Sequence, residues 1–327
     1  MDERRESVTE LPPASPPGRP PRTPKPPRPP RPPRRLPSSM LPPAPLSPTM
    51  ILVRGFVAMI AILLLGFSVN LLVLSHLQHA VAQQNLFNTF RIELADATAP
   101  VSEGTVHDTL VADGAPVALI DIPSIGLREI VVEGTSSGTL TAGPGHRRDT
   151  VLPGQAGMSV IMGRAAAYGG PFSRLAELAP GETFQVTTGQ GEHVYEVVGL
   201  RYAGDPTLPS PKAGEGRLML QTARGPAYIP TGVEYVDARL VTPAEPAGRR
   251  QTTFVALPPS NLAMATDTST VWALAFALQL LIAAEVAAVW SYRRFGARKI
   301  WIVFVPVFVL SGLWVADQVT RLLPNLL

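Results

Sequence analysis

Cysteine is absent from all 327 residues of the sequence. Disulfide bonds and thiolate metal sites are therefore excluded within these residues, and no side chain in them can supply a thiolate nucleophile. The five histidines lie in distant contexts with no spacing typical of a metal site, so we expect no metal and no other cofactor. The lack of cysteine also fits an exported domain that does not depend on oxidation.

Charge is scarce as well, since charged residues make up 16% of the sequence and the net charge is only +3. The basic residues cluster in the N-terminal tail and between Arg293 and Lys299. Basic clusters beside apolar segments indicate contact with membrane lipid and argue against a nucleic-acid partner.

Half of the 36 prolines fall within residues 1–50, many of them beside arginine. Such a segment has few backbone donors for helix or sheet and little apolar surface to bury, which predicts a disordered cytoplasmic tail. Three roles remain open for it. It could be a ligand for a cytoplasmic proline-reading domain, a basic arm on anionic lipid, or a solvated tail that sets topology.

Three apolar runs are each long enough to cross a membrane as a helix. They occupy residues 51–76, 271–291 and 300–318. The first run has a competing interpretation as a signal peptide, because Ala80 and Ala82 form a small-residue cleavage pattern. Its length and the residues that precede it favour an uncleaved anchor.

The basic segments also predict how the chain is oriented. The cations of residues 292–299 and of the N-terminal tail should stay in the cytoplasm by the positive-inside rule. We therefore expect a multi-pass plasma-membrane protein with a cytoplasmic N-terminus and an extracytoplasmic domain between the first two spans. Residues 77–112 are expected to form a stalk, and residues 319–327 a short C-terminal tail.

Short alternating runs broken by glycine and proline fill residues 113–243. Leu218 and Leu220 alternate with Arg217, Met219 and Gln221, a pattern typical of a strand with one buried face. Many short strands predict an all-β domain, and a closed barrel removes the edges that would otherwise be exposed. Residues 244–270 then serve as a linker to the second span.

Several ordered blocks of this domain resemble the sortase family of transpeptidases, and specifically its actinobacterial class E type. The blocks are Ile120-Asp121-Ile122-Pro123, Gly143-Pro144-Gly145-His146, Val160-Ile161-Met162-Gly163-Arg164, Tyr168-Gly169-x-Pro171-Phe172 and Leu218-Met219-Leu220-Gln221-Thr222-Ala223. The resemblance implies a sortase-like closed β-barrel with an N-terminal transmembrane helix and a C-terminal transmembrane helical hairpin.

The family's chemistry, as the resemblance implies it, needs a cysteine nucleophile, a histidine acid and an arginine that steadies the oxyanion. In this sequence the cysteine position falls on Ala223, the histidine position on Arg164 and the arginine position on Val233. Alanine and valine carry no reactive group, and an arginine stays protonated at physiological pH. The resemblance therefore predicts the fold without the catalytic residues.

The residues around these positions are candidates for binding instead of catalysis. We expect Arg164, Tyr168, Phe172, Thr222 and Arg224 to line the vacant cleft. The two arginines would make the cleft cationic if they face it, or would be solvated loop residues if they do not. Of the nearby histidines, His146 is expected to be structural, and His193, in a Gly-Glu-His turn, to face solvent.

The favoured interpretation is a bacterial, membrane-anchored pseudo-sortase on the cell surface that binds or scaffolds a sorting-signal peptide or a partner sortase. One alternative is an active transpeptidase or hydrolase with a non-standard centre. Another is a membrane organiser that acts through its proline-rich arm and its spans. Binding of peptides would separate the first interpretation from the last.

Overall fold

A computed structural model describes residues 48–104, 109–248, 250–295 and 297–327. Residues 1–47, which form nearly all of the predicted proline-rich tail, lie outside the described residues.

A long helix leads from the first apolar run towards the barrel. Helix α1 covers Pro48–Val69, one π-helical turn covers Asn70–Leu74, and helix α2 continues over Ser75–Ala95. The Asn70 side-chain amide donates to Oγ1 of Thr320 at 3.3 Å, and the Ser75 hydroxyl donates to the Leu71 carbonyl at 2.5 Å. Polar side chains that insert into helix backbone bonding are a recognised cause of such irregular turns.

The second half of this helix packs on the β domain, in the region where a stalk was predicted. The Gln83 amide nitrogen donates to the carbonyls of Ile130 at 3.1 Å and Ala142 at 2.7 Å, and the Ile130 amide donates back to the Gln83 oxygen at 2.7 Å. Phe90 is 2% exposed and packs in one cluster with Ile130. Apolar burial and paired amides thus hold α2 against the domain.

The described part of the β domain forms a closed barrel of eight strands, in the spatial order β1-β2-β3-β4-β7-β8-β6-β5. The strands are β1 (Pro116–Ile122), β2 (Leu127–Glu133), β3 (Gly145–His146), β4 (Gly157–Met162), β5 (Thr183–Thr188), β6 (Gly191–Tyr202), β7 (Gly216–Arg224) and β8 (Gly232–Leu240). The pairs β2–β3 and β4–β7 are parallel, and the other neighbours are antiparallel. The predicted all-β closed barrel is confirmed.

The alternation that predicted the strands also builds the barrel core. Side chains from opposite walls are fully buried inside it, for example Ile120, Phe184, Leu218 and Val236. Phe184 and Tyr195 stack with ring centroids 5.7 Å apart. One face of each strand is thereby removed from water, which is the main source of the domain's stability.

Helices α3 (Val271–Phe295) and α4 (Ala297–Arg321) follow the barrel as a hairpin. Three helices of the described chain are long and apolar enough to cross a membrane, at Met59–Ala95, Thr268–Ser291 and Ile302–Arg321. The predicted N-terminal helix and C-terminal hairpin are therefore present as elements. After α4 the chain returns to the barrel through residues 322–327.

Candidate functional site

The strand pairing brings together the three positions that the resemblance singled out. Ala223, near the end of β7, is the register partner of Val233 at the start of β8. The turn after β4 is tied to the same place, because the Gly163 amide donates to Gln221 O at 2.9 Å and the Thr222 hydroxyl donates to Gly163 O at 2.8 Å. Arg164 comes next in the chain.

The side chain of Arg164 is fully buried and bonded to oxygens of the surrounding loops. Its Nη2 donates to the Ser137 carbonyl at 2.7 Å and to the Ser137 hydroxyl at 3.0 Å. Its Nε donates to Leu140 O at 3.2 Å and its Nη1 to Leu327 O at 3.1 Å. The guanidinium also lies over the Tyr168 ring, 5.0 Å from the centroid.

This environment fixes what Arg164 can do. Burial lowers its pKa to about 10, while the neighbouring Tyr168 acts in the opposite direction. The guanidinium is therefore still protonated at neutral pH and cannot exchange a proton with a substrate. Its donors are directed to main-chain and hydroxyl oxygens, so it holds loops together here instead of presenting a cationic surface.

The space beside Ala223 is filled by Leu326, which is fully buried. Ala223 is 5% exposed and Val233 is 9% exposed. One apolar cluster contains Leu326 together with Leu140, Val160, Met162, Ala223 and Val233. The position of the expected nucleophile thus carries a methyl group and is covered by a leucine from the end of the described chain.

Main-chain and side-chain hydrogen bonds hold this covering segment. The Asn325 side-chain nitrogen donates to Thr135 O at 2.8 Å and to Leu262 O at 2.9 Å. The Asn325 amide donates to Ala265 O at 2.9 Å, and the Ala165 amide donates to Leu326 O at 2.8 Å. The partners come from the linker and the barrel, far away in sequence.

The other predicted binding residues do not line one open surface. Phe172 is fully buried in the barrel core, and Tyr168 is packed against Leu71 of the long helix. Thr222 is fully buried and its hydroxyl is committed to Gly163, so it is not placed as a substitute nucleophile. Arg224 is exposed and stacks over the Tyr202 ring at 4.0 Å.

The two histidines of the domain are both buried. In His146, Nδ1 lies 2.9 Å from Glu133 Oε2, and Nε2 lies 2.9 Å from Val151 O. Contacts on both ring nitrogens hold this side chain in place, which indicates a structural role for His146. The expectation that His193 faces solvent is wrong, because His193 is 3% exposed and bonds the Thr188 hydroxyl at 3.1 Å.

The residues that sequence reasoning missed are those of the covering segment, residues 322–327. Nothing in their local pattern distinguishes them from a tail at the end of a helix. Among the described residues, no group of three or more histidine, aspartate or glutamate side chains could hold a metal ion.

Comparison with known proteins identifies sequences that are similar to the barrel domain. Residues 120–247 match the sortase domain. Sortase D of Bacillus subtilis (strain 168) is 32% identical over 85 residues, which is 26% of this chain and 41% of that protein. The chain therefore spans about two fifths of the length of this curated relative. These matches support a place for the domain in the sortase family.

Solved sortase structures resemble the chain at low sequence identity. A Clostridium perfringens Sortase D5 transpeptidase matches with a TM-score of 0.41 and 20% identity, over 50% of this chain and 99% of that chain. Sortase E1 from Streptomyces coelicolor, solved with a tripeptide in the active site, matches with a TM-score of 0.36 and 21% identity, over 41% and 92%.

Proposed function

We propose that this chain is a membrane-anchored, non-catalytic relative of the sortases, of the class E type, whose barrel binds a peptide segment outside the cytoplasm. The observation that carries the proposal is the state of Arg164. It lies at the position where the family's histidine is expected and remains protonated at neutral pH. Its N–H groups donate hydrogen bonds to oxygens of the surrounding loops. A residue held in this way cannot protonate a leaving amine.

The other two positions agree with this proposal. Ala223 has no nucleophilic atom, and Val233 cannot donate a hydrogen bond to an oxyanion. Among the neighbouring side chains, the Thr222 hydroxyl donates to Gly163, and His146 faces Glu133 and Val151. These contacts disfavour an active transpeptidase with a relocated centre. The preserved barrel, with its apolar pocket beside Ala223, instead suits binding, because backbone pairing and side-chain pockets need no nucleophile.

The proposed ligand is an extended peptide, either a sorting signal or a segment of a partner sortase. The matched family acts on such signals as the resemblance implies, and the position beside Ala223 already accommodates a peptide segment of this chain, residues 324–327, which forms a turn closed by the Leu327 amide and Pro324 O. The proposed orientation places the barrel on the extracytoplasmic side. The start of α3 lies on the barrel side and the hairpin returns the end of α4 to the barrel, as that orientation requires.

The test is turnover of fluorogenic sorting-type peptides by the purified full chain in detergent micelles. We expect no turnover from the natural sequence. We also expect little from A223C, because the new thiol lacks a histidine and an arginine partner and keeps a pKa near the ordinary value of about 8.5. Steady turnover by preparations free of contaminating sortase would exclude the non-catalytic role. A triple variant, A223C with R164H and V233R, shows whether the assay can detect a restored centre.

A further inference from the structure

The segment that covers Ala223 behaves like a ligand of the cleft. Asn325 and Leu326 form hydrogen bonds with residues 60 or more positions away, such as Thr135 and Ala265. Asn325 and Leu326 are fully buried, and Leu327 is 6% exposed. These residues contribute a side chain to an apolar pocket and bond to surrounding main chain, as bound peptides do, while the Leu327 amide donates to Pro324 O and closes a turn within the segment.

The segment is not part of the barrel wall. The eight strands close on one another, and none of their registers includes a residue after Leu240. Residues 322–327 follow the end of α4 at Arg321 and take part in none of these ladders. They can therefore leave the cleft while every ladder of the barrel stays paired.

The contacts also indicate which residue types a bound peptide needs at the positions of Asn325 and Leu326. Two carbonyls, of Thr135 and Leu262, receive the two protons of the Asn325 amide nitrogen. An aspartate of the same shape would set a carboxylate against those two carbonyls, which would be strongly unfavourable in a buried place. The following residue is expected to be apolar, because the Leu326 pocket has apolar walls.

From these contacts we infer that residues 322–327 are a displaceable plug, and that an external peptide with asparagine followed by leucine binds the cleft only when the plug withdraws. The inference rests on the proposed binding role of the barrel. A tethered segment acts at an effective concentration on the order of millimolar. If the free peptide has a dissociation constant of roughly 10–100 μM, the plug weakens its apparent binding about 10- to 100-fold.

The first experiment compares binding to three forms of the full chain in detergent micelles. The probe is a fluorescent peptide with the sequence of residues 321–327, amidated at its end, and binding is followed by anisotropy. N325D should loosen the plug without a change in side-chain volume. N88D is the matched control, because Asn88 is exposed on α2. We expect N325D to bind the probe about tenfold or more tightly than the natural chain and N88D.

A second probe peptide, with aspartate in place of the asparagine, tests the recognition directly. We expect it to bind N325D about tenfold or more weakly than the first peptide, which corresponds to the loss of two buried hydrogen bonds. Equal binding of both peptides would overturn the assigned recognition.

The second experiment measures opening of the plug without disturbing its asparagine. The chain has no cysteine, so a single introduced thiol is the only one present. L326C places it in the plug, and V255C places it at a position that is 93% exposed. We expect a maleimide to react with L326C about tenfold or more slowly than with V255C, and we expect excess free peptide to speed that reaction.

The outcomes separate the plug from the binding role. Equal, measurable binding of the peptide to the natural chain and to N325D would overturn the plug but leave the barrel as a peptide binder. No binding to any form at millimolar peptide would overturn both. If L326C reacts as fast as V255C, the segment is not seated in the cleft. A protected thiol that free peptide does not expose would show a fixed closure, not a displaceable one.

Discussion

Oε2 of Glu133 and Nδ1 of His146 lie 2.9 Å apart, and each side chain is 2% exposed. The pair joins β2 to β3, which are parallel neighbours of only two residue pairs. This buried hydrogen-bond contact adds a side-chain link between two strands that share few backbone bonds. Loss of this contact should therefore destabilise the region that leads from β3 to β4 and Arg164.

The first prediction follows from this pair. H146A leaves the buried Glu133 side chain without its hydrogen-bond partner, so we expect a loss of about 1–3 kcal/mol in the free energy of unfolding. The control is R128A, which removes the exposed Arg128–Asp121 pair on the same sheet and should cost about 0–1 kcal/mol. Hydrogen exchange of β2 and β4 in the full chain measures both. Equal losses in the two variants would contradict a structural role for His146.

The second prediction concerns the backbone just before Arg164. A Cβ atom on Gly163 would lie 2.5 Å from Cδ2 of Phe172, whose ring is fully buried in the core. Because Phe172 has no space to retreat, G163A should destabilise the domain by about 1–3 kcal/mol. G199A is the matched control, since a Cβ atom there meets nothing within 4 Å. Thermal unfolding of the two variants decides the prediction, and it fails if their midpoints coincide.

The third prediction is a pH dependence with a definite sign. Burial lowers the pKa of His193 below its ordinary value of 6.5, and Glu245 opposes part of this shift. Below pH 6.5 the unfolded chain takes up a proton at this residue more readily than the folded one, so stability falls on acidification. H193Q, which keeps a polar group near Thr188, should reduce the loss of stability between pH 7 and pH 5. An unchanged slope in H193Q would assign the dependence to other groups.

The fourth prediction concerns orientation in the membrane. A reporter fused after Thr268 should behave as extracytoplasmic, and one at Gly296 as cytoplasmic, because the cations of residues 292–299 should remain inside. Paired fusions to alkaline phosphatase and to a fluorescent protein test each site from both sides. A reversed result at either position would require a different number of spans. An N-terminus near Gln83 in the purified protein would show that the first span is cleaved.

Much of the fold was readable from the sequence because it is encoded locally. The alternation around Leu218 and Leu220 predicts β7, where these two side chains are fully buried and those of Arg217 and Met219 are only partly buried. Strand β3 has only Gly145 and His146, which is too short for any periodicity. Its pairing depends on residues in β2 and β4 that are distant in sequence.

The site was less predictable for the same reason. His193 was placed in a turn, but Gly154 leaves the space that its ring fills, since a Cβ atom there would lie 2.2 Å from Nε2. The space for the His193 ring is thus provided by a loop residue, Gly154, that lies 39 positions earlier in the sequence. Likewise, Leu326 fills the pocket beside Ala223 across 103 positions of the sequence. A local sequence pattern shows which residues are apolar. It does not show which pocket, formed by residues distant in sequence, such a residue will fill.

The π-helical turn at Asn70–Leu74 has a consequence for the anchor. Such a turn holds one residue more than an α-helical turn, and each residue of an α-helix advances by about 100° around the axis. The turn therefore sets the rotational phase of α1 relative to α2, whose own phase is fixed by the Gln83 contacts with the barrel. A single insertion or deletion there would leave every strand intact and yet point a different side of the anchor at its neighbours in the bilayer.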